Sequence, residues 1–142
     1  MISYHTEDIK KPNICTRRTS AWVKNVAASH GKTIGEIAYI FCSDPYILEV
    51  NKQYLQHDYF TDIITFDYSE GNKISGDLFI SLDTVKSNSE QFETDYYEEL
   101  ERVIIHGILH LCGFKDKEPA EEARMREEEN KAISSLEKPL KK

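Results

Sequence analysis

The chain has 142 residues, of which 39% are hydrophobic and 11% aromatic, so it can bury the core of one folded domain over residues 1–142 and is too apolar for a disordered chain. Its formal net charge of −7 argues against broad affinity for nucleic acid, whose phosphates attract Lys and Arg. The start of the chain lacks a signal-peptide pattern, and no stretch approaches the roughly 20 apolar residues of a membrane span. The three cysteines form no C-x-x-C pair. We therefore expect a cytoplasmic protein with no membrane partner.

The first third of the chain predicts a helix, a strand and a second helix. Pro12 suits the start of a helix and Gly31 its end, so a helix is expected at about 13–29. Its buried stripe would consist of Ile14, Ala21, Trp22 and Val26. The apolar run at 36–42 predicts a strand, and Asp44 would cap a short helix to about residue 54.

The middle of the chain predicts a β-hairpin followed by a helix. The β-branched and aromatic run at 62–68 favours a strand, and the polar residues 69–72 favour a turn. The run at 76–81 would be the returning strand. Asp83 would then cap a helix that extends to about residue 92.

Two further helices complete the prediction. A long helix at about 95–112 has an apolar stripe at three- and four-residue steps, formed by Tyr97, Leu100, Ile104, Ile108 and Leu111. A charged helix at about 121–136 has only a thin apolar side and is expected at the periphery. The mixed order of helices and strands predicts an α+β fold, in which a small mixed sheet with a hairpin packs against several helices.

The long helix carries the motif that points most directly to chemistry. His106 and His110 are four residues apart, so they lie on one helix face about 6 Å apart along the axis. Gly113 can end the helix in a left-handed conformation, and Asp116 can then turn back toward the histidines. Two nitrogens and one oxygen leave the fourth tetrahedral position of a zinc ion open, as in catalytic sites. The alternatives are two hydrogen-bonded core histidines and an aspartate that caps the helix expected near Pro119.

Similar spacing occurs in metzincin peptidases, which carry a glutamate directly after the first histidine as general base. Here that position is Gly107, which has no side chain to accept a proton. The motif therefore indicates the geometry of a hydrolytic zinc site but argues against a peptidase.

Three blocks of this sequence resemble the YbeY family, the bacterial rRNA maturation endoribonucleases. Residues 51–66 are similar to the family's L-N-x-x-Y-R-x-x-D-x-x-T-D-V-L-S-F, residues 76–81 to G-D-I-x-I, and residues 106–114 to the start of H-G-x-L-H-L-x-G-Y-D-H. The blocks occur in the family's order and spacing across roughly residues 35–130. The combination is far more specific than any single block.

The sequence departs from the family pattern at two positions. The family's third histidine falls on Asp116, and a carboxylate is also a competent zinc ligand. The family's arginine after the tyrosine falls on Leu55, which cannot contact RNA phosphates. His57 and Lys52 are nearby candidates to replace it in substrate binding.

The resemblance implies a zinc-dependent endoribonuclease that cleaves single-stranded RNA in the 3′-end processing of small-subunit rRNA and in ribosome assembly and quality control. One zinc ion on His106, His110 and Asp116 would acidify a bound water and polarise a phosphoryl oxygen. Asp77 and Asp62 are candidate catalytic residues, to orient a ligand histidine or accept a proton, with structural turn or strand-edge roles as the alternative. Tyr54 could stack on a base or belong to the core. The implied partners are precursor rRNA, the small ribosomal subunit and its proteins, and an assembly GTPase.

The rival hypothesis is a non-catalytic assembly factor that binds the small subunit and has a structural or vestigial metal site. The acidic net charge and Leu55 favour it modestly.

A second open question concerns the densest group of basic residues, which either forms a solvated helix face or faces phosphates. This group comprises Lys10, Lys11, Arg17, Arg18 and Lys24.

Overall fold

The structure, a computed structural model, describes residues 1–55 and 61–142, apart from the side chain of Leu55. In this part of the chain, four strands form one sheet and five helices pack around it. The elements are β1 (Ile2–Thr6), α1 (Thr16–Ser29), β2 (Thr33–Cys42), α2 (Asp44–Leu55), β3 (Ile63–Asp67), β4 (Lys73–Ser81), α3 (Leu82–Gln91), α4 (Tyr96–Leu111) and α5 (Pro119–Ser134). The predicted α+β class is confirmed.

The sheet is mixed, with the strand order β1-β2-β4-β3. Strands β1, β2 and β4 run parallel, and such pairs need crossover connections, here through α1 and α2. Strand β3 pairs antiparallel with β4, with Phe66 opposite Asp77. The predicted hairpin is therefore confirmed, and it lies at one edge of the sheet.

The two faces of the sheet bury different helices. Inward side chains of β2 and β4 alternate along the strands and pack against α1, α3 and α4 in the larger core. Members of this core are Trp22, Val23, Ile37, Tyr39, Phe41, Leu78, Ile80, Leu100, Ile104 and Ile108. Helix α2 packs on the other face, against a smaller cluster that includes Ile47, Val50 and Ile64. Side chains from the two sides can share a surface at the edge strand β3, where one cleft is lined by Asn51 of α2 and by His106 of α4.

The start of the first predicted helix and part of its buried stripe are wrong. Helix α1 begins at Thr16 rather than near residue 13, because the preceding segment pairs with the segment around Lys141. Ile14 is buried within that bridge, opposite Lys141, and not on the helix. Ala21, expected in the stripe, is exposed. Strand β1 was not predicted at all, because its five residues gain their conformation from pairing with β2.

Asp83 does not cap α3 as predicted. The cap is Ser81, whose hydroxyl accepts a hydrogen bond from the Thr84 backbone N–H at 3.3 Å. The Asp83 carboxylate instead accepts a bond from the Asp44 backbone N–H at 3.0 Å. Asp83 therefore connects the starts of α2 and α3.

None of the helices in the described ranges is both long and apolar enough to cross a bilayer.

Candidate metal centre

Helix α4 presents His106 and His110 at the edge of its buried face, as the apolar stripe predicted. Ile104 and Ile108 are fully buried against the sheet, whereas the histidine side chains are 20% and 29% exposed. Gly107 lies between them on the sheet side, where a Cβ atom would come within 2.8 Å of Ile63. The apolar face of α4 is thus buried in the core, and the two imidazoles lie at the edge of this face, where solvent reaches them.

The C-terminus of α4 turns sharply and brings Asp116 back to the histidines. Gly113 has a φ of +107°, a conformation that side chains with a Cβ atom rarely adopt. The Gly113 and Phe114 N–H groups donate to the carbonyls of His110 and Leu109, both at 3.0 Å, which is the Schellman pattern of helix ends. Because the turn satisfies these carbonyls, the following residues are held close to the last turn of α4.

Three side-chain atoms converge at this corner. The Asp116 Oδ2 atom lies 3.1 Å from His106 Nε2 and 3.3 Å from His110 Nε2. The three candidate ligand atoms all lie within 4.8 Å of one another. The alternative in which Asp116 only caps the next helix does not match the structure, because Glu118 occupies the cap position of α5.

Outer hydrogen bonds orient both imidazole rings. The Nδ1 atom of His110 lies 3.0 Å from the Phe114 carbonyl oxygen, and the Nδ1 atom of His106 lies 2.6 Å from Glu129 Oε2. A carbonyl or a carboxylate oxygen accepts, so each Nδ1 carries the proton and donates. In the neutral imidazoles, Nε2 is then the atom with a free lone pair. Both lone pairs are available toward the corner that Asp116 occupies, which is the tautomer arrangement typical of metal-binding histidines.

Sequence reasoning missed Glu129 because α5 looked like a peripheral charged helix. Its carboxylate is buried, with a side chain only 7% exposed. Besides accepting from His106, it accepts a hydrogen bond from Arg102 Nη1 at 2.8 Å. Arg102 is four residues before His106 on the same helix, and its guanidinium also donates to Asn130 at 2.9 Å. The sequence offered no signal for it, because the burial of Glu128 and Glu129 on the inner face of α5 is visible only in the structure.

The charges of this network shift the pKa values of its members. Burial alone would lower the pKa of His106, but the hydrogen bond and the charge of Glu129, with those of Asp116 and Asp62, raise it above the usual range. Burial alone would raise the pKa of Glu129, but hydrogen bonds from His106 and Arg102 lower it. Glu129 is therefore an ionised acceptor that stabilises the protonated Nδ1 atom of His106.

Asp62 also reaches the histidine corner. Two clefts, of about 600 and 500 Å³, meet at Asp62, His106 and Asp116. Burial raises the pKa of the Asp62 carboxyl, and the charge of His106 opposes this shift. The structure thus brings together four of the predicted site residues, namely Asp62, His106, His110 and Asp116.

The structure does not bring Asp77, Tyr54 or Lys52 to this corner. Asp77 lies on β4 opposite Phe66, on the sheet face that α2 covers, and it accepts a bond from the Tyr68 hydroxyl at 3.3 Å. Tyr54 is 62% exposed near the end of α2, with its ring 5.9 Å from that of Phe66. Lys52 lies on the same helix, 4.0 Å from Glu49. The predicted substrate residue His57 lies outside the described residues.

The sequence of this chain matches a known family over nearly its whole length. The family model described as Endoribonuclease YbeY matches residues 2–137. The chain is 68% identical to the Endoribonuclease YbeY of Phocaeicola vulgatus over 96% of this chain and 99% of that protein. It is 65% identical to the protein of the same name from Bacteroides thetaiotaomicron, over 94% of this chain and 97% of that protein.

The fold has also been seen before. The solution structure of a Thermotoga maritima protein matches with a TM-score of 0.68 and 24% sequence identity, over 96% of this chain and 89% of that one. This likeness concerns the fold alone, whereas the sequence matches extend over the helix that carries both histidines and over the turn to Asp116. The chain belongs to the YbeY endoribonuclease family.

Proposed function

We propose that this protein is a zinc-dependent endoribonuclease that cleaves single-stranded RNA during maturation of the small-subunit rRNA. The observation that carries the proposal is the convergence of His106 Nε2, His110 Nε2 and Asp116 Oδ2 at the meeting point of two clefts. The names of the relatives support RNA as the substrate.

The donor set fits zinc. Two imidazole nitrogens and one carboxylate oxygen are ligands that zinc accepts, and three protein ligands leave a position for water or substrate. When bound, zinc supplies Lewis acidity, which lowers the pKa of a coordinated water and polarises a phosphoryl oxygen. The ligand atoms lie within 4.8 Å of one another, and both outer nitrogens are engaged elsewhere. Little rearrangement is therefore needed for binding.

The surrounding side chains have separate roles in this proposal. Glu129 holds the His106 ring and its tautomer, and Arg102 holds Glu129. Asp62 is the candidate to accept a proton from water, because its carboxylate lines both clefts together with His106 and Asp116. Asp77 has no such support, because it is not among the residues that line the two clefts.

The structure adds an argument against the zinc peptidase alternative. Position 107, where a peptidase carries its base, faces Ile63 and Leu78 in the core rather than the clefts. The second candidate function is a non-catalytic assembly factor that docks on the small subunit, with its proteins or an assembly GTPase as partners. The observation in its favour is the acidic net charge of −7, which suits a basic protein surface better than bare RNA.

Removal of a ligand tests the proposal. The protein, purified without a metal-affinity tag, should contain about one zinc per chain by mass spectrometry, as expected for one three-ligand site. Asp116→Ala and His110→Ala should each lose this zinc, and His110→Ala should also lose cleavage of single-stranded RNA. Asp77→Ala is the matched control, because it removes a carboxylate from the other side of the sheet, and it should keep both zinc and cleavage.

Two outcomes would contradict the proposal. RNA cleavage by zinc-free His110→Ala protein would exclude the metal mechanism. Binding of wild-type protein to pre-ribosomal particles without zinc and without cleavage of any RNA would favour the assembly-factor alternative.

A further inference from the structure

The charges of this chain are strongly segregated along the sequence. Residues 9–35 and 138–142 contain nine of the 18 basic residues and none of the 25 acidic ones. The remaining residues, including those around the candidate metal centre, therefore carry the whole acidic excess. These two segments are thus positively charged, although the whole chain has a net charge of −7.

The fold joins the two segments into one surface. The Cys15 N–H donates to the Leu140 carbonyl at 2.7 Å, and the Lys142 N–H donates to the Asn13 carbonyl at 3.0 Å. Arg18 donates from its guanidinium to the Pro139 carbonyl. We define the basic surface as the eight cationic residues around this bridge, namely Lys10, Lys11, Arg17, Arg18, Lys24, Lys138, Lys141 and Lys142.

These cations are available to a partner. Seven of the eight residues are exposed, and Arg18 is half-buried. Within residues 1–55 and 61–142, none of the eight forms an ion pair with a carboxylate, whereas Arg102, Arg124 and Lys131 all do. Arg17 and Lys24 are seven residues apart and share the outer face of α1. Helix α1 begins beside them without an acidic residue in its first turn, so its dipole adds to the positive potential.

The candidate metal centre has the opposite character. Its clefts are lined by six carboxylates and three cationic side chains, so the lining has an acidic excess that repels phosphates unless a metal ion compensates for it. The carboxylates are Asp62, Asp67, Glu99, Asp116, Glu122 and Glu129, and the cations are Arg102, Lys117 and Arg126. An enzyme for a polyanionic substrate therefore gains attraction from some other part of its surface.

The basic surface is separate from the catalytic corner. The Leu140 N–H donates to Glu101 at 2.9 Å, and the Lys141 ammonium lies 5.1 Å from the centroid of the Tyr97 ring. Both contacts are with the first half of α4. His106 and His110 follow Glu101 by five and nine residues, or about 8 and 14 Å along the helix axis, and His106 is rotated by about 140° from Glu101 around the helix. An RNA strand that is cut at the histidines reaches the basic surface only if it extends well beyond the cleaved segment.

We propose that the basic surface binds the phosphate backbone of RNA and anchors long substrates, whereas the metal centre only cleaves them. The proposal rests on the proposed function for the identity of the anion. Because backbone contacts carry no sequence information, the anchor should be independent of sequence and sensitive to salt.

The test compares two charge-matched triple variants. Lys11→Gln/Arg17→Gln/Lys24→Gln removes three positive charges from the basic surface. Lys73→Gln/Lys86→Gln/Lys131→Gln removes three exposed positive charges elsewhere. Binding of labelled oligouridylate is measured by fluorescence anisotropy in EDTA, so that no cleavage takes place. One RNA just fills the clefts, and the other is several times longer.

We expect the first variant to bind the long RNA about tenfold or more weakly at low salt than the control variant. Its slope of log affinity against log salt should be smaller by about 2, since each single-strand phosphate contact contributes about 0.7. Binding of the short RNA, which is weak without metal, should be equal in both variants. With metal restored, KM for long RNA should rise and kcat should stay unchanged.

A charge-preserving variant, Lys11→Arg/Arg17→Lys/Lys24→Arg, should bind like the wild type and shows that loss of charge rather than misfolding is responsible. Equal binding of long RNA by the two Gln variants would overturn the proposal and assign the surface to another partner, such as an acidic protein. Wild-type protein that binds long RNA through this surface but never cuts it would support this inference and contradict the proposed function.

Discussion

At the scale of single residues, Glu129 orients His106 through the ring atom opposite the candidate ligand atom. A carboxylate in this position raises the basicity of the ligand nitrogen and fixes the ring, and its loss costs about 10–100-fold in metal affinity in comparable sites. Arg102 keeps the carboxylate ionised and in place, at 2.8 Å. Glu129 is thus a positioning residue on a helix that contributes no candidate ligand.

Glu129→Gln should therefore lower zinc affinity about 10–100-fold, because the amide keeps the shape but loses the charge. Affinity can be measured by competition with a chromophoric chelator. The matched control is Glu128→Gln, since Glu128 is equally buried but pairs with Arg124 at 3.0 Å. Equal zinc affinities of the two variants would contradict the positioning role.

At the scale of elements, the turn after α4 connects helix stability with the candidate site. Gly113 places the Phe114 carbonyl at His110 Nδ1 and returns Asp116 to both Nε2 atoms. The left-handed conformation of Gly113 thus determines both the position of Asp116 and the ring orientation of His110.

Gly113→Ala should destabilise the protein by about 1–2 kcal/mol, the usual cost of a Cβ atom in a left-handed conformation, and should also weaken zinc binding. Gly71→Ala is the control, because Gly71 has a φ of +57° in the β3–β4 turn, far from the histidines. It should lower the denaturation midpoint similarly and leave zinc affinity unchanged. A zinc affinity of Gly113→Ala that equals that of Gly71→Ala would show that the turn does not hold the ligands.

Sequence reasoning was most successful where one element determined the outcome by itself. The stripe of α4, the spacing of the histidines, the helix stop at Gly113 and the hairpin all follow from local pattern, and the structure has each of them. It failed where a distant segment decides. Strand β1 depends on pairing with β2, and the start of α1 depends on Leu140. The role of Glu129 depends on how α5 packs on α4, and no local pattern in a charged helix reveals it.

At the scale of the whole molecule, a bound metal should stabilise the native state through mass action. A ligand at 100 times its dissociation constant adds about 2.7 kcal/mol if the unfolded chain does not bind it. For a chain of this size, that corresponds to roughly 5–10 °C in Tm.

Addition of EDTA should therefore lower the Tm of the zinc-loaded protein by roughly 5–10 °C in a calorimetric scan. His110→Ala protein should show no response to the chelator, because it has lost a ligand. An equal Tm of the wild type with and without EDTA would mean that no metal binds the native state at this site.

The three candidate ligands come from a stretch of only eleven residues, from His106 to Asp116. Evolution can therefore lengthen or shorten every other loop without altering the spacing of the ligands. Asp62 and Glu129 belong to different segments. Substitutions that shift the packing of β3 or α5 would therefore weaken the support of the candidate ligands without removing a ligand. A metal ion held by these three side chains would thus tolerate changes of loop length elsewhere, and residues outside the ligand set would adjust the catalytic rate.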